Sequence, residues 1–289
     1  MTIELLVSAL VSGLLIGGVY ASVAVGVSVA FGLLNVVNIG HASIMVLGAY
    51  AAYVVNTRFG IDPLLGSLIS APVFYFLGLA LYQLYHKTIE SKGDDPLRGL
   101  AFFFGVMFLV EIGLVMGFGA DYRYVNVPYA SGALSLGIVD VPYRLLVPCA
   151  VSMVCVFALQ WLLANTFLGR ATNAVAQDMF ALRLMGVDPV RVKRIAFGIS
   201  LATAALAGAL LIIIQPVEPS INREFIGRAF AICVLGGMGS LPGMIAAAII
   251  IGVAESFTSV LWGPSWSPAV AFGFLLLTLV IRPKGLFGR

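Results

Sequence analysis

The segment LLVSALVSGLLIGGVYASVAVGVSVAF, residues 5–31, contains no charged side chain over its whole length. A bilayer hydrocarbon core about 30 Å thick needs about 20 predominantly apolar residues in a helix that crosses it. The apolar residues also follow one another without the strict alternation that marks the strands of a membrane barrel. The segment therefore predicts a membrane-spanning α-helix.

The rest of the chain repeats this pattern. Of the 289 residues, 61% are hydrophobic and 10% are charged, whereas soluble domains carry about 25% charged residues. We expect an all-α integral membrane protein, a polytopic bundle of about eight transmembrane helices forming a single domain over residues 1–289. Further apolar runs lie at about 42–56, 64–85, 99–118, 143–163, 195–214, 226–260 and 268–281, and the 226–260 run is broken by GGMGSLPG at 236–243.

Several functional classes lack a signature in this sequence. The residues between Met1 and the first apolar run include no Lys or Arg, so they do not form the basic start of a cleaved signal peptide. Cys149, Cys155 and Cys233 lie in apolar runs, and no His or Cys falls at metal-ligand spacing. We expect packing cysteines, no metal and no cofactor. The net charge of +3 gives no reason to expect nucleic acid as a partner.

Positive charge is concentrated in three segments, 87–98, 170–194 and 282–289, which together hold 11 of the 16 Lys and Arg residues. Basic loops of a membrane protein lie predominantly on the cytoplasmic side. We therefore expect these segments in the cytoplasm and the N-terminus outside. The loops expected to face outward are those near Arg58, at 119–144, at 216–228 and at WGPSWSP, residues 262–268.

The stretch LGRATNAVAQDMFALRLMGVDPVRVKR, residues 168–194, is the long polar exception. Val175, Met179 and Leu182 recur at helical spacing, which predicts an amphipathic helix that Gly186 ends before Asp188 and Pro189 turn the chain. Such a helix at about 168–190 is either a connector resting on anionic lipid or a docking element for a soluble partner. Its polar side is formed by Thr172, Asn173, Gln177 and Arg183.

Three stretches carry a resemblance to a known family. GRATNAVAQDMFALRLMGVDPVRVKRIAF, residues 169–197, resembles the cytoplasmic coupling loop of the branched-chain amino acid ABC transporter permeases of the LivH type. Residues 13–50, from GLLIGGVYAS to MVLGAY, are similar to the N-terminal signature of that family. Residues 234–256, VLGGMGSLPGMIAAAIIIGVAES, are similar to its C-terminal signature.

The resemblance implies one permease subunit of a binding-protein-dependent importer in the bacterial inner membrane. Its partners would be a second permease subunit, LivM-like or a second copy, two ATP-binding subunits and a periplasmic binding protein. The substrate would be a branched-chain amino acid or a related amide, urea or aromatic acid. The sequence contains no Gly-Lys dipeptide and hence no P-loop, so ATP would be bound by another chain. Contacts with the ATPase are expected at Asn173, Gln177, Asp178, Arg183 and Gly186.

Two interrupted segments are candidates for the substrate pathway, NVVNIGHAS at 35–43 and GGMGSLPG at 236–243. Broken helices in corresponding parts of a transporter point to its substrate site, and unwound backbone at membrane depth must be buried in protein or line a wet cavity. Close helix packing through Gly and Ala is the alternative explanation. The pathway candidates in these segments are Asn38, His41, Ser43, Gly236, Gly237 and Ser240.

Intramembrane polar residues add three candidates to the pathway. Glu111 and Glu255 lie within apolar runs, where an ionised carboxylate is costly without a partner. Both are expected to face the bundle interior, in either a structural or a substrate contact. At Glu111 the sequence departs from the family, where Gln is usual. Tyr20 is a candidate cavity residue or a packing aromatic.

Residues of the outward loops are candidate contacts for a binding protein, which usually docks through charged surfaces. These candidates are Arg123, Tyr124, Glu218, Arg223 and Glu224.

The alternatives to an ATP-driven permease are a carrier coupled to protons through Glu111 or Glu255, a passive channel, and an intramembrane enzyme using His41 with Ser43 or Ser240. A coupling helix for an ATPase distinguishes the ATP-driven permease from the proton-coupled carrier. The sequence lacks the selectivity-filter repeat or paired Asn-Pro-Ala loops of a channel, and it lacks the motif context of a catalytic nucleophile.

Overall fold

A computed structural model describes residues 3–34, 36–93, 96–135, 137 and 139–287. The chain is almost entirely helical, which confirms the all-α prediction. A short hairpin of β1 (Ala133–Ser135) and β2 (Asp140–Pro142) lies in one loop. The helices are α1 (Ile3–Ser28, continued by a π-helical segment Val29–Leu33), α2 (His41–Phe59), α3 (Pro63–Thr88), α4 (Pro96–Phe118), α5 (Tyr143–Asn165), α6 (Phe167–Gln177), α7 (Met179–Leu184), α8 (Pro189–Ile214), α9 (Asn222–Gly236), α10 (Leu241–Trp262) and α11 (Ser267–Ile281).

Seven helices in the described part of the chain are long and apolar enough to cross a membrane, namely α1, α3, α4, α5, α8, α10 and α11. The shorter α2 and α9 are not among them. Each of these two helices borders one of the interruptions predicted from the sequence, because α2 starts at His41 and α9 ends at Gly236. The protein is thus a polytopic helical membrane protein with broken helices, as predicted.

Helices α1 and α8 form the centre of the bundle, and most of their residues are buried. Close approach to them depends on small residues, as is usual in membrane bundles. A side chain at Gly208 of α8 would collide with the main chain of Met45 in α2, and one at Gly48 would collide with that of Ala205. Packing through glycine therefore determines where α2 sits against α8.

The three basic segments meet at one end of the bundle, which we call the basic end. Lys193, at the start of α8, donates a hydrogen bond to Glu90 beyond α3. The segment Val29–Leu33 packs against α6, and its Gly32 lies against Gly239. The C-terminal tail joins the same end because the Leu286 amide donates to Leu235. This clustering is what the charge distribution predicts if one side of the membrane holds all three segments.

The loops at the opposite end are also tied to one another. Arg123, after α4, pairs through its backbone with Val217, after α8, in an antiparallel bridge. Arg144 donates from Nη2 to the Ile214 carbonyl at 2.5 Å. Two of the loops expected to face outward, those at 119–144 and 216–228, thus share one end, which we call the outer end.

Four local predictions are wrong. The polar stretch does not form a single helix, because the chain breaks at Asp178 into α6 and α7. Thr172, expected on the exposed polar side, is fully buried and donates to the Leu168 carbonyl, while Met179 is exposed instead of buried. Arg228, expected at the edge of an outward loop, is buried within α9 because that helix begins at Asn222.

Candidate coupling and pathway sites

The coupling segment, α6 with α7, is shaped by two capping residues. Thr166 Oγ1 accepts a hydrogen bond from the Gly169 amide at 3.1 Å and so caps the start of α6. Asp178 Oδ1 accepts from the Phe180 and Ala181 amides at 2.8 and 3.0 Å, which caps α7. Side-chain caps of this kind satisfy amides that the helix itself leaves unpaired. Asp178 therefore sets the angle between the two helices.

One side of the coupling segment is fastened to the bundle. Val175 of α6 and Leu182 of α7 are buried, and they form a small apolar cluster with Ala171 and with Val192 of α8. Helix α6 also packs against α5, α8 and the π-helical end of α1. Helix α6 is therefore in direct contact with three membrane helices.

The other side of the coupling segment is exposed. The predicted contact residues Asn173, Gln177, Asp178, Arg183 and Gly186 all lie there. Gly186 has a φ of 78°, a left-handed conformation that glycine adopts without strain. Three large apolar side chains beside them were not predicted from the sequence. Their positions on either side of Leu182 in the sequence could have indicated a second, exposed apolar surface. They are Phe180, Leu184 and Met185, which are 70%, 75% and 72% exposed.

A polar cluster joins α3 to α8 at the basic end. Glu90 Oε1 accepts from Lys193 Nζ at 2.7 Å. Glu90 Oε2 accepts from Tyr82 Oη at 2.7 Å and lies 2.7 Å from His86 Nδ1. The Lys193 side chain is 8% exposed and that of Glu90 is 16% exposed, so the ion pair is largely shielded from water. The first turn of α8, just after the coupling segment, is thereby attached to the end of α3.

Two of the pathway candidates, Tyr20 and Glu255, contact one another. Tyr20 Oη donates to Glu255 Oε2 at 2.7 Å, and Arg228 Nε donates to Glu255 Oε1 at 2.9 Å. The Arg228 guanidinium also lies over the rings of Tyr20 and Phe225, 5.8 and 5.0 Å from their centroids. Because all of its charge is paired or stacked, this cluster fastens α1, α9 and α10 together.

Two other candidates, Ser43 and Glu111, are joined through α9. Asn222 Nδ2 donates to Ser43 Oγ at 2.8 Å and to Glu111 Oε2 at 3.1 Å. Arg223 Nη2 donates to Glu111 Oε1 at 2.6 Å. Ser43, Glu111 and Asn222 are buried, whereas the Arg223 side chain is 62% exposed. We call these four residues the Glu111 cluster.

The first interruption, Val36–Gly40, is unwound and packed inside the protein. Asn38 and His41 are 2% and 1% exposed. Within the part of the chain that the structure describes, the polar side-chain atoms of Asn38 have no hydrogen-bond partner. A buried polar group without a partner costs about 1–3 kcal/mol. Asn35 of the same motif lies outside the described residues.

The second interruption has clear packing functions. Gly237 and Gly239 have φ values of 91° and 83°, which allow the reversal between α9 and α10. A side chain at Gly236 would collide with the main chain at Gly243. Ser240 caps α10 by accepting a hydrogen bond from the Gly243 amide at 3.3 Å.

Sequence reasoning missed Arg228 and Asn222 as parts of these clusters. The sequence did indicate that such partners exist, because the two carboxylates buried in apolar helices, Glu111 and Glu255, require cationic or hydrogen-bonding partners. The chain supplies these partners on one polar turn, NREFIGR at 222–228.

The outer end carries a polar cavity of about 330 Å³. The predicted outward residues Arg123 and Tyr124 line it, whereas Glu218 lies nearby and Glu224 contacts Arg228 at 3.4 Å. Arg123 Nη2 donates to the Phe118 carbonyl at 2.6 Å, and its guanidinium lies 5.9 Å from the centroid of the Tyr53 ring. The complete lining is Tyr53, Asn56, Thr57, Tyr122, Arg123, Tyr124 and Asn126.

The arrangement defines a multi-pass membrane protein with an exposed helical segment at one end and buried polar clusters within. The family of permease components of branched-chain amino acid transport systems matches residues 9–279 of this sequence. The chain belongs to that family and is a membrane permease component.

Individual relatives have the same character. The chain is 28% identical to the high-affinity branched-chain amino acid transport system permease protein BraD of Pseudomonas aeruginosa, over 97% of this chain and 95% of that protein. It is 26% identical to LivH of Salmonella typhimurium, over 96% and 94%. LivM of Salmonella typhimurium is 28% identical, over 93% of this chain and 67% of LivM. A solved structure, PsaBC from Streptococcus pneumoniae in complex with Fab, is similar with a TM-score of 0.48, 14% identity and coverages of 98% and 94%.

Proposed function

We propose that this chain is the permease subunit of an ATP-driven importer of branched-chain amino acids in a bacterial inner membrane. It would work with a second permease subunit, two ATP-binding subunits and a periplasmic binding protein. The names of BraD, LivH and LivM support the substrate class. The basic end would face the cytoplasm, as the distribution of Lys and Arg suggests.

The coupling segment is the observation that carries the proposal. It is a short helical pair fixed to α5, α8 and α1 on one side and bare on the other. Phe180, Leu184 and Met185 present apolar area next to Arg183 and Gln177. Aromatic and apolar anchors with a polar rim are typical of a protein interface. A proton-coupled carrier would have no use for such a surface.

In this mechanism the ATPase pushes on α6 and α7 from the cytoplasm. The apolar cluster around Val175 and Leu182 passes the displacement to α8, and the pair of Lys193 with Glu90 passes it on to α3. Contact between α6 and Val29–Leu33 carries it to α1. The binding protein would dock at the outer end, where Arg123, Tyr124, Glu218, Arg223 and Glu224 remain the candidate contacts.

We place the substrate pathway along the unwound segment before α2 and the adjoining turn of α9. Asn38 supports this because its buried polar atoms lack partners among the described residues, so water or substrate would satisfy them when the bundle opens. His41 is buried beside it, and its amide donates to the Asn38 carbonyl. Ser43 and Glu111 adjoin this region. Gly236, Gly237 and Ser240 would shape the pathway through the backbone reversal. Tyr20 and Glu255 would form its wall, as a pair neutralised by Arg228.

The test is uptake by proteoliposomes that contain the complete assembly. Labelled leucine, isoleucine and valine should accumulate only with ATP on the cytoplasmic side and the binding protein on the other. Replacing Phe180 with Ala should reduce copurification of the ATP-binding subunits and uptake together. The matched control is Phe167→Ala, an exposed phenylalanine at the start of α6 that lies outside the group of Phe180, Leu184 and Met185. Uptake driven by a proton gradient without ATP would refute the proposal.

A further inference from the structure

The Glu111 cluster has an unusual balance of charge and exposure. Its carboxylate side chain is 10% exposed, yet the side chain of its cationic partner Arg223 is 62% exposed. A buried ion pair is normally shielded at both members, as in Arg228 with Glu255, whose side chains are 10% and 5% exposed. The counter-charge of the Glu111 carboxylate is therefore supplied by a side chain that is largely exposed to solvent.

The cluster also has hydrogen-bond acceptors to spare. Asn222 donates from Nδ2 to both Ser43 and Glu111, but its Oδ1 is buried and has no hydrogen-bond partner among the residues that the structure describes. This oxygen belongs to the amide that already contacts the carboxylate. An ammonium group carries three donors and no acceptor. It matches a site that offers a carboxylate and an unused amide oxygen.

We propose that the Glu111 cluster binds the ammonium group of the transported amino acid, and that Arg223 is the resident cation which the ammonium displaces. The inference rests on the proposed function and adds the recognition group to it. Removing Arg223 alone leaves a buried carboxylate without a counter-charge, which is strongly unfavourable. The site therefore stays occupied by a cation at all times, and substrate entry is an exchange of one cation for another.

The position of Arg223 suits this exchange. It lies in the first turn of α9 at the outer end, so its guanidinium swings outward while Asn222, on the same turn, stays buried between α2 and α4. An acidic group on a docked binding protein would attract the released guanidinium. Arrival of the substrate and opening of the site are then the same event.

The experiment measures ligand binding to the full chain in nanodiscs, without the other subunits, by ligand-detected NMR. Three probes separate the groups of the substrate: leucine, leucinamide, which keeps the ammonium and lacks the carboxylate, and 4-methylpentanoate, which lacks the ammonium. We expect leucine and leucinamide to bind and 4-methylpentanoate to bind at least tenfold more weakly. Equal binding of 4-methylpentanoate, or binding of none of the three, overturns the proposal.

Two variants with opposite expected effects make the test specific. Glu111→Gln should weaken leucinamide binding at least tenfold because the counter-charge is lost. Arg223→Ala should strengthen it severalfold because the competing cation is gone. Loss of structure would weaken binding in both variants, and that outcome refutes the exchange. Glu4→Gln, an exposed carboxylate at the start of α1, is the matched control and should bind as wild type.

Failure of this inference is distinguishable from failure of the proposed function. ATP-dependent uptake of leucine that persists unchanged in Glu111→Gln would refute the ammonium site and leave the importer intact. Absence of ATP-dependent uptake by the wild-type assembly, with normal leucinamide binding, would refute the importer and leave the site.

Discussion

The ion pair between Glu90 and Lys193 provides a quantitative test of how the basic end is held together. Replacing Glu90 by Gln keeps the shape of the side chain and removes its charge. Lys193, with a side chain 8% exposed, then becomes a shielded cation without its carboxylate. Breaking a buried ion pair from one side costs about 3–5 kcal/mol. The 16% exposure of the Glu90 side chain puts the expected loss near the lower figure.

A loss of about 3 kcal/mol changes the equilibrium constant between the folded and the locally unfolded basic end by a little over two powers of ten. Hydrogen exchange of the amides at 89–93 and 190–195, measured by mass spectrometry in nanodiscs, should accelerate by about that factor in Glu90→Gln. Amides in the middle of α10 serve as the internal control, because this cluster does not contact them. Acceleration of less than about fivefold would contradict the reasoning.

A double-mutant cycle separates the pair from its surroundings. Lys193→Met removes the cation and keeps an unbranched apolar stem of similar length. The double variant Glu90→Gln with Lys193→Met should be less destabilised than the sum of the two single variants by at least about 1.5 kcal/mol, since the second change removes an orphaned charge. Additivity within about 0.5 kcal/mol would mean that the two groups do not interact.

Three further predictions concern backbone and packing. Gly186→Val should slow ATP-dependent uptake while Gly186→Asn retains most of it, because φ of 78° costs a β-branched residue about 1–2 kcal/mol and Asn tolerates it; equal rates would contradict this. Tyr20→Phe should lower the free energy of unfolding of the purified chain by about 1 kcal/mol, because the hydrogen bond to Glu255 is lost. An unchanged melting temperature would count against that bond. Gly208→Val should prevent stable folding, whereas Gly105→Val, at a helical glycine with open space around it, should be tolerated in the same melting assay.

The sequence predicts the helices well because apolar length is a local property. The run at 143–163 appears as α5 from Tyr143 to Asn165, and the break at GGMGSLPG separates α9 from α10. The error at the start of α9 has a physical cause. NREFIGR looks like a loop by hydropathy. Asn222 and Arg228, however, donate hydrogen bonds to side chains of other helices, so the helix extends into a sequence that hydropathy scores as soluble.

The side-chain clusters could be predicted only in part. Burial of Glu111 and Glu255 follows from their position in apolar runs, and the need for a counter-charge follows from burial. The choice of Arg223 for one carboxylate and Arg228 for the other depends on how α9 is rotated against α4 and α10, which is a tertiary property. The break at Asp178 illustrates the same limit, because an Asp within a helical pattern is equally compatible with an exposed position and with a cap.

Helix α9 connects the proposed coupling surface to the proposed recognition site. Its C-terminal glycines adjoin Gly239, which lies against Gly32 in the π-helical segment that α6 contacts. Its N-terminal turn holds Arg223 on Glu111. At about 1.5 Å per residue its 15 residues span about 22 Å, less than the hydrocarbon core. In the proposed mechanism, a helix this short would move as one body, and a displacement of α6 at the basic end would reach Arg223 without unwinding the helix. The energy needed is then the cost of separating Arg223 from Glu111, which the arriving ammonium group would offset.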